Sequence, residues 1–524
     1  MRTNWVIDNK LMAETVDSFL GRPPLRASAK LSYGAGSVAY GVAFAGLSGA
    51  ILQLYLNQVL GLPALLVGTA IMVSLMVDAL LDPLIGQWSD KARSRWGRRH
   101  PFMYASALPA AFFFYLLWNA PAGMAPAALM GFTLATMIAV RISISFYEIP
   151  SNALTPELTP NYDERTTLQS YRWFFGIVGN AAITLLLYEV FLKASGHNAQ
   201  GVLYREGYGR WGVVSAALIL VSILVSTAGT HNQIRYLPQS AVRTRSFAQA
   251  AREIGVTLTN RSLIALMAAG LLGGVGYGIS QGLSIYLFTH YWALDPSQFG
   301  LLIPLGALGS ILAVFLAPGF SRRFGKKPAM IGLFSVSVVT AAGPIFLRLI
   351  GLMPPNGSRW IMPILTGDLV VTATVAVVGY ILVGSMVADV VEDAAVKSGV
   401  RSEGLLYAAN GLLPKFTGGV GAFIAGVLLT LVHFPAHALK GSVSPELMRH
   451  LVLIYLPTTV LLSVASIAVL SLYRIDRVTH EKNLQSLREA AAILEAGGGA
   501  EALTVGVAPH PAFHAPGAPP DPSP

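Results

Sequence analysis

The chain of 524 residues has no cysteine. Disulfides, cysteine–zinc sites and thiol catalysis are therefore excluded, while compartment is left open. Charge is scarce too: Asp, Glu, Lys and Arg make up only 12%, where soluble domains carry roughly 25%. Hydrophobic residues reach 54% and are spread along nearly the whole length. That pattern is a polytopic membrane protein, with the lipid bilayer as its surroundings. The net charge of +10 would suit a nucleic-acid binder, but Lys and Arg sit in short clusters between apolar runs. With no continuous basic face to track phosphates, no nucleic-acid partner is expected. The first ten residues, Met1 to Lys10, contain no apolar core, so no cleaved signal peptide is read there. There is no His-rich cluster and no Gly-rich phosphate loop. An enzyme is therefore not expected.

What is present is a series of apolar spans. They fall near 31–57, 64–88, 101–120, 125–153, 168–193 and 211–230, then near 262–290, 298–320, 328–351, 360–390, 404–432 and 450–474. About twenty apolar residues suffice for a crossing helix, so the expected fold is all-α, about 12 transmembrane helices in two six-helix halves. The expected organisation is an N-terminal segment 1–29, a first half 30–230, a central loop 231–261, a second half 262–475 and a tail 476–524. The tail is rich in Gly, Ala and Pro from Gly497 on and is expected to be disordered there, after a short amphipathic helix near 480–496. The connections around Gly61 and Gly123 carry no Lys or Arg. The 89–100 loop, the central loop, the stretch Arg322 to Lys327 and the region after Arg474 are rich in them. Basic short loops face the cytoplasm, which places both termini inside.

The two halves repeat. Arg95-Trp96-Gly97-Arg98-Arg99-His100-Pro101 after the second span matches Arg323-Phe324-Gly325-Lys326-Lys327-Pro328 after the eighth. Parallel six-helix halves with a site between them at mid-membrane are the major facilitator arrangement.

Within the second span lie Asp78 and Asp82, four residues apart and so on one helical face. Ionised groups inside a span are kept where something binds them. Two adjacent carboxylates are a cation-site candidate, and neutralisation by a Lys or Arg of another helix is the plainer alternative. Arg141, Ser145 and Glu148 lie in the fourth span, Arg172 in the fifth and Lys415 in the eleventh.

Val77-Asp78-Ala79-Leu80-Leu81-Asp82-Pro83 followed by Ser94 to Arg99 resembles the glycoside–pentoside–hexuronide:cation symporters, the melibiose permease-like family. Lys30 to Gly36 is similar to the family's opening. Tyr147-Glu148-Ile149-Pro150 with Asp163-Glu164-Arg165 and Tyr171-Arg172 resembles its helix IV to V segment. Met386 to Val391, Arg401 to Gly404 and Lys415 resemble helices X and XI. The resemblance covers about residues 30–475. It implies a cation-coupled symporter of a sugar, glycoside or uronide, multi-pass in the plasma membrane (the inner membrane of a bacterium) and functional as a monomer. It implies no cofactor, only a co-transported proton or sodium ion, and no metal beyond that sodium.

The resemblance gives Asp78, Asp82 and Glu148 to the cation, and Glu148, Arg172 and Lys415 to the solute; from their places in the fourth span Ser145 is added as a cation ligand and Arg141 and Asn152 as solute residues. A structural ion pair of Glu148 with Arg141 or Arg172 stays open, as does Lys415 serving as counter-ion to the aspartates. Asp90, Arg95, Gly97, Arg98, Arg99, Arg165, Asp389, Arg401 and Glu403 are expected as gate and structural elements. Three departures bear on the solute and the ion. Gly41 stands where sugar-carrying members have a helix I acid, Asn152 where the melibiose permease has a ring-packing tryptophan, and Leu81 where an amide accompanies sodium use. Proton is therefore favoured over sodium, and Arg141 is expected to receive a substrate carboxylate unless it neutralises Asp78 or Asp82. The open alternatives are a lysolipid or other amphiphile carrier of the same superfamily and a membrane-embedded transferase.

Overall fold

The computed structural model describes residues 25–159, 162–193, 201–236, 261–398 and 403–475, with isolated positions 482 and 485 beyond. Every regular element among them is a helix. In chain order these are α1 (Ala27–Val59), α2 (Ala64–Lys91), α3 (His100–Trp118), α4 (Pro126–Leu158), α5 (Tyr162–Leu186) and α6 (Arg205–His231). The second set is α7 (Arg261–Tyr286), α8 (Pro296–Phe324), α9 (Lys326–Leu349), α10 (Ile361–Ser398), α11 (Glu403–Leu431) and α12 (Pro445–Leu470). Among the described residues, 11 helices are long and apolar enough to cross a membrane; the remaining one, α8, carries the shorter apolar stretch Leu308–Ala317. The amphipathic helix expected near 480–496 and the tail lie outside the described residues, as does most of the central loop.

Several spans outrun their apolar cores. The fourth was expected to end at 153 and the tenth at 390, yet α4 runs to Leu158 and α10 to Ser398. Polar last turns such as Thr155-Pro156-Glu157-Leu158 are invisible to hydropathy, and in α4 the ion pairs of Glu157 with Arg98 and Arg99 hold that turn.

Helix packing repeats with a shift of six. Pairs α1–α5, α1–α6, α2–α4, α3–α4 and α3–α6 recur as α7–α11, α7–α12, α8–α10, α9–α10 and α9–α12. Large apolar side chains stay exposed on the outer faces, Phe315 at 77% and Leu461 at 71%, because lipid rather than water is their neighbour.

The halves meet through α2–α11, α1–α7 and α5–α8. These contacts concentrate at the end away from the basic loops. There α2 and α11 approach so closely that a Cβ on Gly426 would stand 2.5 Å from the Ala64 carbonyl oxygen. Beside them Tyr286 donates to Asn57 Oδ1 at 2.9 Å. The side-chain amide of Gln58, fully buried, clasps the loop after α11. It donates to the Pro435 carbonyl at 3.0 Å and accepts from the Ala438 N–H at 2.9 Å.

Opening that end must break the clasp. Gln58→Leu keeps the volume and strands two backbone groups, a loss of about 1–3 kcal/mol. Spin labels at Ala122→Cys and Glu446→Cys, clean in a chain without cysteine, should report a larger fraction of long distances in the variant. An unchanged distribution would count against the clasp as a gate.

Candidate functional site

Charge inside the bundle is gathered in two linked clusters. In the first, Asp78 and Asp82 project from one face of α2, as their spacing requires. Lys415 reaches across from α11, in the other half, with Nζ at 2.8 Å from Asp78 Oδ2 and 2.5 Å from Asp82 Oδ2. Ser145 of α4 sits on the opposite side, its Oγ at 2.9 Å from Oδ1 of each aspartate. Its single hydrogen serves one oxygen at a time. Two carboxylates and one ammonium leave a formal deficit of one positive charge.

In the second cluster, Arg172 of α5 donates from Nη2 to Glu148 Oε1 at 2.6 Å and from Nη1 to Ser151 Oγ at 2.6 Å. Its guanidinium also lies 5.2 Å from the centre of the Tyr33 ring. Asn152 donates to the same Glu148 Oε1 at 2.9 Å. Glu148 Oε2 is buried and has no hydrogen-bond partner among the described residues. The Glu148–Arg172 ion pair left open in the sequence is thus formed, and one acceptor of the acid remains unspent. Side chains of Asp82, Lys415 and Glu148 keep 24%, 24% and 20% exposure, so both clusters border the open space between the halves.

Arg141 takes a position that periodicity alone did not suggest. Helix α1 is interrupted at Ser48, whose ψ of 141° is extended. A break inside a span frees carbonyls that lipid cannot satisfy. Arg141 covers it, with Nη2 donating to the Leu47 carbonyl at 3.3 Å and Nε to Ser74 Oγ at 3.1 Å. No ion pair joins it to either aspartate among the described residues, because Lys415 already occupies their Oδ2 side. Among the described residues Nη1 has no hydrogen-bond partner.

Gly41 is a helix-contact residue: a Cβ there would run into the Gly176 carbonyl of α5. Two α1 side chains come under the influence of these charges, Tyr33 beneath the Arg172 guanidinium and Tyr40, one position before Gly41.

At the basic end, the expected gate residues form pairs within each half. Arg99 binds Asp90 at 2.5 Å and Glu157 at 3.0 Å, and Arg98 binds Glu157 at 2.9 Å. In the second half Lys326 binds Asp389 at 2.7 Å. The glycines of the repeated turns, Gly97 and Gly325, have φ of 75° and 77°, a left-handed turn that admits glycine readily. Glu157 was missed, although the repeat pointed to it: it answers Arg98 and Arg99 as Asp389 answers Lys326. Arg165 donates to the Thr159 carbonyl at 2.8 Å. Arg95 lies over its own neighbour, Trp96, and forms no ion pair among the described residues. Lys30 and Glu164 add a pair at 2.6 Å. Partial burial opposes the Glu164 charge, but hydrogen bonds from Lys30 and Thr159 and the Lys30 charge outweigh it and hold the carboxyl below its ordinary range. Arg401 lies outside the described residues, and of Glu403 only its place at the start of α11 is described.

One stretch has the spacing of a hydrolase nucleophile turn, Gly278-Ile279-Ser280-Gln281-Gly282. It lies inside α7, where Ser280 bonds the Gly276 carbonyl and the Tyr455 hydroxyl, at 3.1 and 3.0 Å. A strained strand-to-helix turn is what that chemistry requires, and a helix interior is not one.

Two repeated six-helix halves, joined at one end and enclosing charged clusters near mid-membrane, define an integral multi-pass carrier of the major facilitator fold. The chain belongs to the MFS/sugar transport protein family, whose profile matches residues 32–477. It is 25% identical over 411 residues to the isoprimeverose transporter of Lactiplantibacillus pentosus, covering 77% of this chain and 80% of that one. It is 24% identical over 414 residues to the glucuronide carrier protein homolog of Escherichia coli, covering 76% and 85%. Among solved structures it resembles a bacterial homologue of the human lysosomal transporter Spinster, with a TM-score of 0.60 over 88% of this chain and 98% of that one. At 14% identity that likeness speaks for the fold alone.

Proposed function

We propose that this protein is a cation-coupled symporter of a sugar, glycoside or uronide, working by alternating access with its basic end in the cytoplasm. The observation that carries the reading is the bridge of Lys415 from the second half to Asp78 and Asp82 of the first. A monovalent cation or proton arriving at the aspartates completes their charge and competes with the lysine for their oxygens. Cation binding therefore acts directly on a contact that holds the halves together, which is what coupling needs.

Proton is the ion that this chemistry favours. Sodium wants a shell of several oxygens. Here Ser145 Oγ and the two Oδ1 atoms converge, Lys415 takes the Oδ2 side, and Leu81 supplies no oxygen. A proton needs a single carboxylate oxygen. On the solute side, the unspent Glu148 Oε2 accepts a hydroxyl, and Arg141 Nη1 donates to a carboxylate, as in a uronide. The glucuronide carrier homolog and the isoprimeverose transporter among its relatives support this solute class.

The test is uptake into proteoliposomes of neutral sugars, glycosides and uronides under an imposed proton or sodium gradient. Uphill uptake of a uronide should follow the proton gradient and vanish in Asp82→Asn, while counterflow persists. In Arg141→Gln the uronide should bind about 2 kcal/mol more weakly, with neutral analogues little changed. Accumulation that follows sodium alone would overturn the proton assignment. Accumulation persisting in the Asp78→Asn/Asp82→Asn double variant would overturn the cation site.

A further inference from the structure

Tyr40 lies on the segment Ser37–Leu47 of α1, which ends at the break at Ser48. The rotation of that segment is fixed by the close contact of Gly41 with Gly176 of α5, which turns Tyr40 away from α5. Tyr40 lies two turns from Tyr33, which bonds the Ser151 carbonyl of α4, and two turns from Leu47, whose carbonyl accepts from Arg141, so it shares their face of α1 toward the charged residues of α4; 45% of its surface is exposed. Exposure in that company means the open space between the halves, since a side chain facing lipid would have no such neighbours. One turn on, Phe44 is 53% exposed, and the two ring centres are 6.2 Å apart with planes tilted by 31°. Segment Tyr40–Phe44 thus offers two aromatic rings on α1, beside the α4 helix that carries Arg141 and Glu148.

A saturated sugar ring is amphipathic in a way that matches this surface. Its axial C–H groups form an apolar face, and its hydroxyls point outward around the rim. An aromatic ring covers the first through dispersion and contact area. Glu148 Oε2, buried and without a hydrogen-bond partner among the described residues, accepts from the second. An extended acyclic polyol has hydroxyls but no continuous apolar face, so it gains the hydrogen bond and forfeits the stacking.

We propose that Tyr40, extended by Phe44, is the platform on which the solute's sugar ring stacks, so that this pair selects cyclic over acyclic solutes of equal charge. The proposal rests on the sugar-carrier reading above and deepens it. The hydroxyl of Tyr40 is not required for it; the ring face is.

The experiment compares equilibrium binding of a pyranoside uronide and of an acyclic aldonate to purified wild-type protein, Tyr40→Phe, Tyr40→Trp and Tyr40→Leu. Wild type should prefer the cyclic ligand. Tyr40→Leu should lose about tenfold in affinity for it while holding the aldonate as before; Tyr40→Phe and Tyr40→Trp should retain the preference. Phe44→Leu should weaken the cyclic ligand by a smaller factor. Equal losses for both ligands in Tyr40→Leu, or full loss in Tyr40→Phe, would overturn the stacking role. A wild type that binds neither sugar nor aldonate would instead sink the sugar-carrier reading itself. A Tyr40→Leu protein that fails to fold is replaced by Tyr40→Met, read for the same cyclic-to-acyclic ratio.

Discussion

Lys415→Met should lower the stability of the detergent-solubilised protein by about 3 kcal/mol or more. The lysine is the counter-ion within 2.8 Å of Asp78 and 2.5 Å of Asp82. Its loss leaves two carboxylates beside each other, with only Ser145 to solvate them. Removing one partner of a shielded ion pair costs more than the pair itself contributes, because the remaining charge is stranded. The same logic predicts rescue. Lys415→Met combined with Asp82→Asn restores the original net charge of the cluster and should recover most of the unfolding midpoint, although uphill transport stays lost in both. Thermal unfolding of the two variants beside wild type decides the matter. A single Lys415→Met variant as stable as wild type would show that the bridge is not a significant contact of this state.

The second large effect concerns Arg172. Its two ends are committed to Glu148 and Ser151, and its flat face lies over Tyr33. In turn Tyr33 donates to the Ser151 carbonyl at 2.7 Å, so one guanidinium ties α5 to α4 and α1. Arg172→Ala should cost about 3–5 kcal/mol in stability and abolish solute binding, since Glu148 loses the partner that orients it. Arg172→Lys keeps the charge but has no planar fork. It should fold better than the alanine variant and still bind solute poorly, because a point donor cannot hold Glu148 and Ser151 together. Solute binding in Arg172→Ala near the wild-type level would show that Glu148 is not positioned through this pair. In this state the arginine holds Glu148 and Ser151 at once.

How far the site could be read from the chain depends on the range of the interaction. Asp78 and Asp82 fall on one face because a helix fixes the direction of residues four apart, and the bilayer makes any charge there conspicuous. The basic turns could be matched to each other, and their glycines adopt the same left-handed φ, since a turn is a local structure. Glu157 and Arg141 show the limit. Glu157 sits past the apolar core of its span and matters only because the 98–99 turn folds back onto it. Arg141 could be seen to need a partner, but the partner is a carbonyl exposed by a break in α1, 94 positions away in the chain.

The sequence by itself determined the membrane class, the number of helices, the twofold repeat and the residues that are too polar to be in lipid without cause. Each of these follows from composition or from a helical period, quantities defined within a few turns of chain. Only the tertiary structure decided which polar group answers which. Lys415 meets the aspartates across more than 300 residues, Arg172 holds Glu148, and the rotation of α1 about Gly41 turns Tyr40 toward the charged residues of α4. The physical reason is that a charge in a low-dielectric bundle seeks any partner within a few ångströms, and those few ångströms are set by how helices cross, not by where they lie in the chain.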